Sequence, residues 1–202
     1  MNIQDLTRTQ HQMQQTRMSI TIVGTGQLAE SIAQKLDTVP RIMATSTGRS
    51  VAFSDQMPQA AILVLEQANR DLAAQASAAC LAQNIPLLPV ISMNEVVQIG
   101  PMTTAGVTAC LNCADIRMQV VTGRSCIDAS WPAQSAQVDR IAEHVAEMAS
   151  DWARAASQHK GAVVFHWQNG AQSRHPVLRT NACTTCRSYP PRAPYCAPKI
   201  LT

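Results

Sequence analysis

At 202 residues with a net charge of +3 and a pI near 8.6, the chain is long enough for one substantial core and has no concentrated basic footprint for gripping nucleic acid. Aromatic residues are only 3% of it, too few for base-stacking platforms, while aliphatic side chains and alanine dominate a hydrophobic share of 46%, which suits helices packed on a sheet. No apolar run approaches the roughly 18 residues that span a bilayer, and the N-terminus is polar rather than a basic-then-apolar leader; the expectation is a cytoplasmic protein with neither membrane nor nucleic-acid partners.

Residues 1–17 are glutamine-rich and nearly free of apolar side chains, which predicts a flexible N-terminal arm; Ile3, Leu6 and Met13 recur at roughly helical spacing, leaving a short docking helix as the alternative. From Ser19 a β-branched run ends at a glycine turn and passes into an amphipathic helix with Leu28, Ile32 and Leu36 on one face. This is the opening strand-turn-helix of a nucleotide-binding sheet. The fingerprint G-x-G-x-x-G reads here as Gly24-Thr25-Gly26-Gln27-Leu28-Ala29, with alanine tolerated in the third position, so Gly24 and Gly26 are the candidate cofactor-binding residues. An acidic residue about 20 positions further on would hold a ribose hydroxyl. Residues 41–49 contain no carboxylate, which disfavours a dinucleotide, although Arg49 could in principle face a 2′-phosphate.

Gln59 to Glu66 is an unbroken apolar run of the kind found in a buried parallel strand. Asn69 or Asp71 caps the next predicted helix, which runs through Ala82 with Leu72, Ala76, Ala79 and Cys80 turned inward. Pro86 breaks it, and Leu87 to Ile91 is the following strand. Glu95 to Gly100 and Val107 to Cys110 read as a hairpin delivering a cysteine turn, and Asp115 to Ser130 as polar, irregular chain. Gln137 to Ser157 carries Val138, Ile141, Val145, Met148, Trp152 and Ala155 at helical intervals, with His144 beside the stripe as an ordinary satisfied residue. Gly161 to Arg179 forms a second hairpin around Asn169-Gly170, and residues 188–202 are a proline-rich, extended tail. Alternating strand and helix that give way to hairpins predict a truncated doubly wound, Rossmann-like α/β sheet with a metal-bearing β lobe.

Cys110-Leu-Asn-Cys113 and Cys183-Thr-Thr-Cys186 each place two thiols where one tight turn aims both at a point, and two such turns complete a tetrahedral site. The reading is a structural zinc held by Cys110, Cys113, Cys183 and Cys186. Disulfides and a thioredoxin-like redox pair are the alternatives; the odd total of seven cysteines argues against the first and the doubled spacing against the second. Cys80, Cys126 and Cys196 stand outside the pattern, and His175 is a neighbour of the site rather than a ligand.

The stretch Leu88 to Arg117, with Gly100-Pro101, then Gly106, then Cys110-Leu-Asn-Cys113-Ala-Asp115, resembles the ThiF-like, ubiquitin-activating-type proteins that accompany YcaO cyclodehydratases in the biosynthesis of azole- and azoline-containing ribosomal peptides. His175 to Cys186 is similar to the closing segment of that family, whose second cysteine pair completes the zinc site; with the Gly24 turn, the resemblance covers residues 18–187. It implies a ThiF-type sheet, zinc on the four cysteines, and a YcaO-type cyclodehydratase and a precursor peptide as partners, with a homodimer as a further option. Adenylating members hold ATP with acidic residues after the first strands and with an arginine and a lysine near the phosphates. The strand ending at Glu66 departs from that pattern, so ATP is not expected. Residues 1–17 also do not make up the leader-binding winged-helix module that such proteins often carry. The resulting expectation is a non-catalytic zinc scaffold, an accessory subunit that helps to present a precursor peptide in bacteriocin-like biosynthesis. An ATP-dependent adenylating enzyme of the ThiF type is the alternative, and an NAD(P)-dependent oxidoreductase using Arg49 the weaker one.

Overall fold

The structure, a computed structural model, describes residues 19–36, 41–43, 51, 53, 58–133, 135–154 and 161–189. The predicted arm at 1–17, Arg49, the side chain of Trp152, Ala155 and the proline-rich tail from residue 190, Cys196 included, lie outside the described residues. Seven strands form one sheet: β1 (Ile20–Val23), β2 (Arg41–Met43), β3 (Ala60–Leu65), β4 (Leu87–Ser92), β5 (Val96–Ile99), β6 (Gly161–His166) and β7 (Gln172–Pro176), in the order β2-β1-β3-β4-β5-β6-β7. The first four are parallel, and β5, β6 and β7 add on antiparallel. The helices are α1 (Gln27–Lys35), α2 (Arg70–Ala82), α3 (Leu111–Thr122), α4 (Ser135–Arg154) and the single turn α5 (Thr184–Arg187).

Both faces of the sheet are covered, and the strand period decides which side chain meets which helix. Along β3, Ala60, Ile62 and Val64 pack with Leu28 and Ile32 of α1 and with Val138, Ile141 and Val145 of α4. Ala61, Leu63 and Leu65 point the other way, onto Ala73, Ala76 and Cys80 of α2 and Leu111 of α3. A strand with neighbours on both faces must be apolar at every position, which is why its sequence does not alternate. Every residue of β3 is buried, and each Ile, Leu or Val so covered contributes about 1.5–3 kcal/mol relative to exposure. The arrangement is a mixed α/β, Rossmann-like sheet.

Two sequence expectations are corrected here. Residues 107–110 are not a strand: β5 pairs with β4 and β6, and Cys110 is the N-cap of α3. The antiparallel strands therefore continue the main sheet rather than folding into a separate β lobe. Nor is the segment after Asp115 irregular throughout, because α3 runs to Thr122 before Gly123 ends it in the left-handed conformation. The β-branched Val107 and Thr108 favour a strand by propensity alone. In the fold, the Thr108 hydroxyl donates to Met102 O at 2.6 Å and accepts from Thr104 N at 2.7 Å, closing a turn instead.

Candidate functional site

Two sites stand on opposite sides of the sequence reading, one at the glycine turn and one at the cysteines. At the glycine turn, β1 and β3 run parallel with Val23 opposite Leu63. Three residues beyond that pair, the same register brings Gly26 level with Glu66. Gly24 and Gly26 both have positive φ, 141° and 114°; a Cβ on Gly24 would collide with the carbonyl of Val64, and one on Gly26 with the Glu66 carboxylate. The glycines thus let the end of β3 come hard against the start of α1. Glu66 is only 7% exposed. Its Oε2 accepts the Leu28 amide at 3.0 Å and its Oε1 the Ala133 amide at 3.2 Å, tying β3, α1 and the loop before α4 together. Burial raises the pKa of this carboxyl above its ordinary value, opposed by the amide hydrogen bonds. The cleft beside it has a volume of about 250 Å³, and Thr25, Gln27, Gln67 and Asn69 supply its other polar side chains.

The cysteines converge as the spacing predicts. Cys110 and Cys183 are the N-caps of α3 and α5, and Cys113 and Cys186 fall one turn further on, so each pair uses the same start-of-helix geometry. The Cys110 sulfur is 3.9 Å from that of Cys113 and 3.5 Å from that of Cys183, Cys113 is 3.5 Å from Cys186, and all four lie within 4.8 Å of one another. A tetrahedral ion with metal–sulfur bonds of about 2.3 Å needs sulfurs about 3.8 Å apart, so the four buried thiols can hold a metal ion with little rearrangement. Amides point at the sulfurs: Asn112 Nδ2 and the Cys186 N–H each donate to Cys183 Sγ at 3.4 Å. Hydrogen bonding with Cys110 and then Cys186 pulls the Cys113 thiol well below its usual range, while Cys110, bonded to Cys113 and Cys186 and buried, is pushed well above. Metal-bound sulfurs are thiolates, so an ion held here would displace the thiol protons.

Around the sulfurs, polar groups hold the incoming chain. Arg179 Nη2 donates to the carbonyls of Cys186 and Tyr189, both at 2.6 Å, and Arg117 Nε to Leu178 O at 3.0 Å. Asp115, two residues after Cys113, is 1% exposed and accepts from the Ser125 hydroxyl at 2.7 Å, the Cys126 amide at 2.8 Å and Gln119 Nε2 at 3.2 Å, with Arg70 Nη1 at 3.5 Å. It pins the turn that follows α3.

The remaining candidates resolve plainly. Cys80 is fully buried and its thiol is pushed up to about 12 by burial; burial and the Asp115 charge push the Cys126 thiol further still, so neither is a ready nucleophile. His175 pairs with the Ser173 hydroxyl at 2.8 Å on exposed β7 and takes no part in the sulfur cluster. His144 packs edge-on against Phe165 at 4.8 Å. Sequence reasoning missed the roles of Glu66 and Asp115; a carboxylate at the end of an otherwise apolar strand and another inside a helix next to a cysteine pair were the available signals.

No family model matches the chain, and no curated protein matches it. Solved structures do share its fold. A heterocyclase in complex with substrate and cofactor superimposes with a TM-score of 0.59 at 13% identity, over 84% of this chain and 25% of that one. The heterocyclase TruD gives 0.58 at 17% identity, over 83% and 27%. MccB of E. coli, solved with ATP, gives 0.53 at 13% identity, over 83% and 66%. The chain therefore spans about a quarter of the length of each heterocyclase. At these identities the likeness is one of fold, and no described helix is long and apolar enough to cross a membrane.

Proposed function

We propose that this chain is a zinc-stiffened, non-catalytic scaffold of the ThiF type, with residues 18–187 as its working unit, that partners a YcaO-type cyclodehydratase and helps to present a precursor peptide in ribosomal-peptide biosynthesis. The observation that carries this reading is the cleft at the glycine turn: among the described residues that line it, none is Lys or Arg. Nucleotidyl transfer lowers its barrier mainly by clamping phosphate charge with cations, and the described lining of the cleft supplies none. The sulfur cluster supports the structural half, since four thiolates suit zinc and leave it no open position for chemistry. The peptide context comes from the fold shared with two heterocyclases and from the sequence resemblance. A scaffold of this kind accelerates a reaction by holding two reactants in place.

The test is to combine the purified chain with a YcaO-type cyclodehydratase and its precursor peptide and to measure turnover and peptide affinity with and without the chain. A several-fold gain in either is expected; no change in both discards the scaffold. A homodimer would appear as a doubled mass in light scattering. The adenylating reading keeps one observation in its favour, the likeness to MccB solved with ATP. Robust ATP–pyrophosphate exchange by the purified chain would establish it. The oxidoreductase reading draws on the same glycine turn and on Arg49, which lies outside the described residues.

A further inference from the structure

Single exposed aliphatic side chains are ordinary on a protein surface, but neighbours in one helical turn form a patch. Val120 and Val121, in the last turn of α3, are 81% and 82% exposed. β-branched side chains cost helix propensity, and burial within the described chain does not offset that cost here. The surroundings extend the patch. Arg117 lies one turn back on the same face, and its Nε donates to Leu178 O at 3.0 Å, which brings the exposed Leu178 beside the helix. Beneath them, Ile116 and Val177 are half-buried against the sulfur cluster, which gives the patch a fixed base.

The charge around it has one sign. Residues 111–127 and 172–189 carry Arg117, Arg124, Arg174, Arg179 and Arg187 against a single carboxylate, Asp115, which is buried and hydrogen-bonded. Among the described residues none of these arginines forms an ion pair, and Arg179 Nη1 has no hydrogen-bond partner. The ends of the chain supply no counter-charge either. After Asp151 the sequence contains no Asp or Glu, and residues 1–17 hold Asp5 against Arg8 and Arg17. Guanidinium groups beside aliphatic side chains suit a ligand that carries carboxylates and apolar groups together. We propose that the end of α3 and the segment at Leu178 form a docking surface for an acidic polypeptide segment with aliphatic side chains between its carboxylates. Val120, Val121 and Leu178 are the apolar contacts, and Arg117 and Arg124 meet the carboxylates. The patch is aliphatic and offers bases nothing to stack on. Membrane-surface helices bury a whole apolar face in lipid, whereas Leu111, Cys113 and Ala114 of α3 face the protein core. Three exposed side chains are also too few for the roughly 800 Å² per partner of a stable dimer. The inference goes beyond the scaffold reading and stands without it, since it follows from this chain's own surface.

The probe is a fluorescein-labelled synthetic peptide of Glu-Leu-Leu-Glu repeats, titrated with the full chain and read by fluorescence anisotropy. Saturable binding is expected, weakening as salt is added because the charged contacts are exposed. Arg124→Glu should weaken it at least tenfold, about 1.4 kcal/mol, and Val120→Ser combined with Val121→Ser by roughly fivefold. A peptide with Lys in place of every Glu should not bind. Should a variant fail to fold, amide NMR on the native chain decides: the Val120, Val121 and Leu178 signals are expected to shift with the peptide, and shifts confined to other residues overturn the proposal. It is also overturned by a native chain that does not saturate, by variants that bind as tightly as the native chain, or by a glutamate homopolymer that binds equally well. Sedimentation with phosphatidylserine vesicles in place of peptide binding would reassign the patch to a membrane, and self-association lost in the valine double variant would reassign it to a second copy; either result overturns the proposal. Failure here is separable from failure of the scaffold, which is read from cyclodehydratase turnover.

Discussion

The glycine turn and the sulfur cluster solve the same electrostatic problem in opposite ways. Both set acidic groups at the start of helices: the Glu66 carboxyl at α1, and the Cys110 and Cys183 thiols at α3 and α5. At α1 the anion and its donors all belong to the chain, so the site is complete when the chain folds. At the cysteines four buried sulfurs face one another within 4.8 Å, with Asn112 Nδ2 and the Cys186 amide as donors to Cys183. That site can take a metal ion from outside. An internally partnered site depends on the chain alone, whereas a bound metal would make stability depend on supply.

The sharpest way to break this contrast is to remove what completes the sulfur site. Structural zinc contributes about 10–16 kcal/mol to small zinc-finger peptides, and a larger core absorbs part of that. Chelation, or Cys186→Ser, is expected to cost on the order of 4 kcal/mol, lowering the melting temperature by roughly 10 °C. Metal analysis of the purified chain should find zinc equimolar with protein. A metal-free chain that melts at the same temperature removes the metal from the account.

How much of this contrast could be read beforehand follows from where each residue's partners come from. The cysteine site was legible because each pair is local: a three-residue spacing sets the aim of two sulfurs regardless of the rest of the fold. The strand-turn-helix at Gly24, the Asn69 cap that accepts from Leu72 N at 2.9 Å, and the hairpin around Asn169-Gly170 were legible for the same reason. Glu66 was not. It reads as the place where an expected acidic pattern fails, and its actual role depends on β3 lying beside β1 in the register that sets Leu63 against Val23. Asp115 was hidden likewise, since its partners at Arg70 and residues 125–127 arrive through tertiary contacts.

Substitutions at the completed site are expected to be costly but smaller in effect. Gly26→Ala forces a side chain onto φ 114° and into the Glu66 carboxylate, at about 2–4 kcal/mol in urea unfolding. Gly123→Ala provides the control, because Gly123 also has positive φ but a Cβ there meets nothing within 4 Å; its cost should stay near 1 kcal/mol. Equal losses would mean that backbone strain alone, and not the carboxylate, requires glycine at Gly26. Asp115→Asn comes next at about 2 kcal/mol, since the groups facing both oxygens are donors and an amide NH₂ must oppose one of them.

The smallest effect is a pH dependence at the buried Glu66 carboxyl. Burial holds the Glu66 carboxyl above its ordinary value in the folded chain, so the native state retains a proton over a range in which the unfolded chain has released it. Stability linked to Glu66 is therefore fully present below the ordinary glutamate value of 4.5 and declines as the pH rises through the raised native value, after which it is level. Glutamine does not titrate, so subtracting the Glu66→Gln curve from the native one, in urea melts stepped upward from pH 4, isolates a falling slope. A rising slope would mean that the amides of Leu28 and Ala133 outweigh burial and hold the carboxylate more firmly than water does.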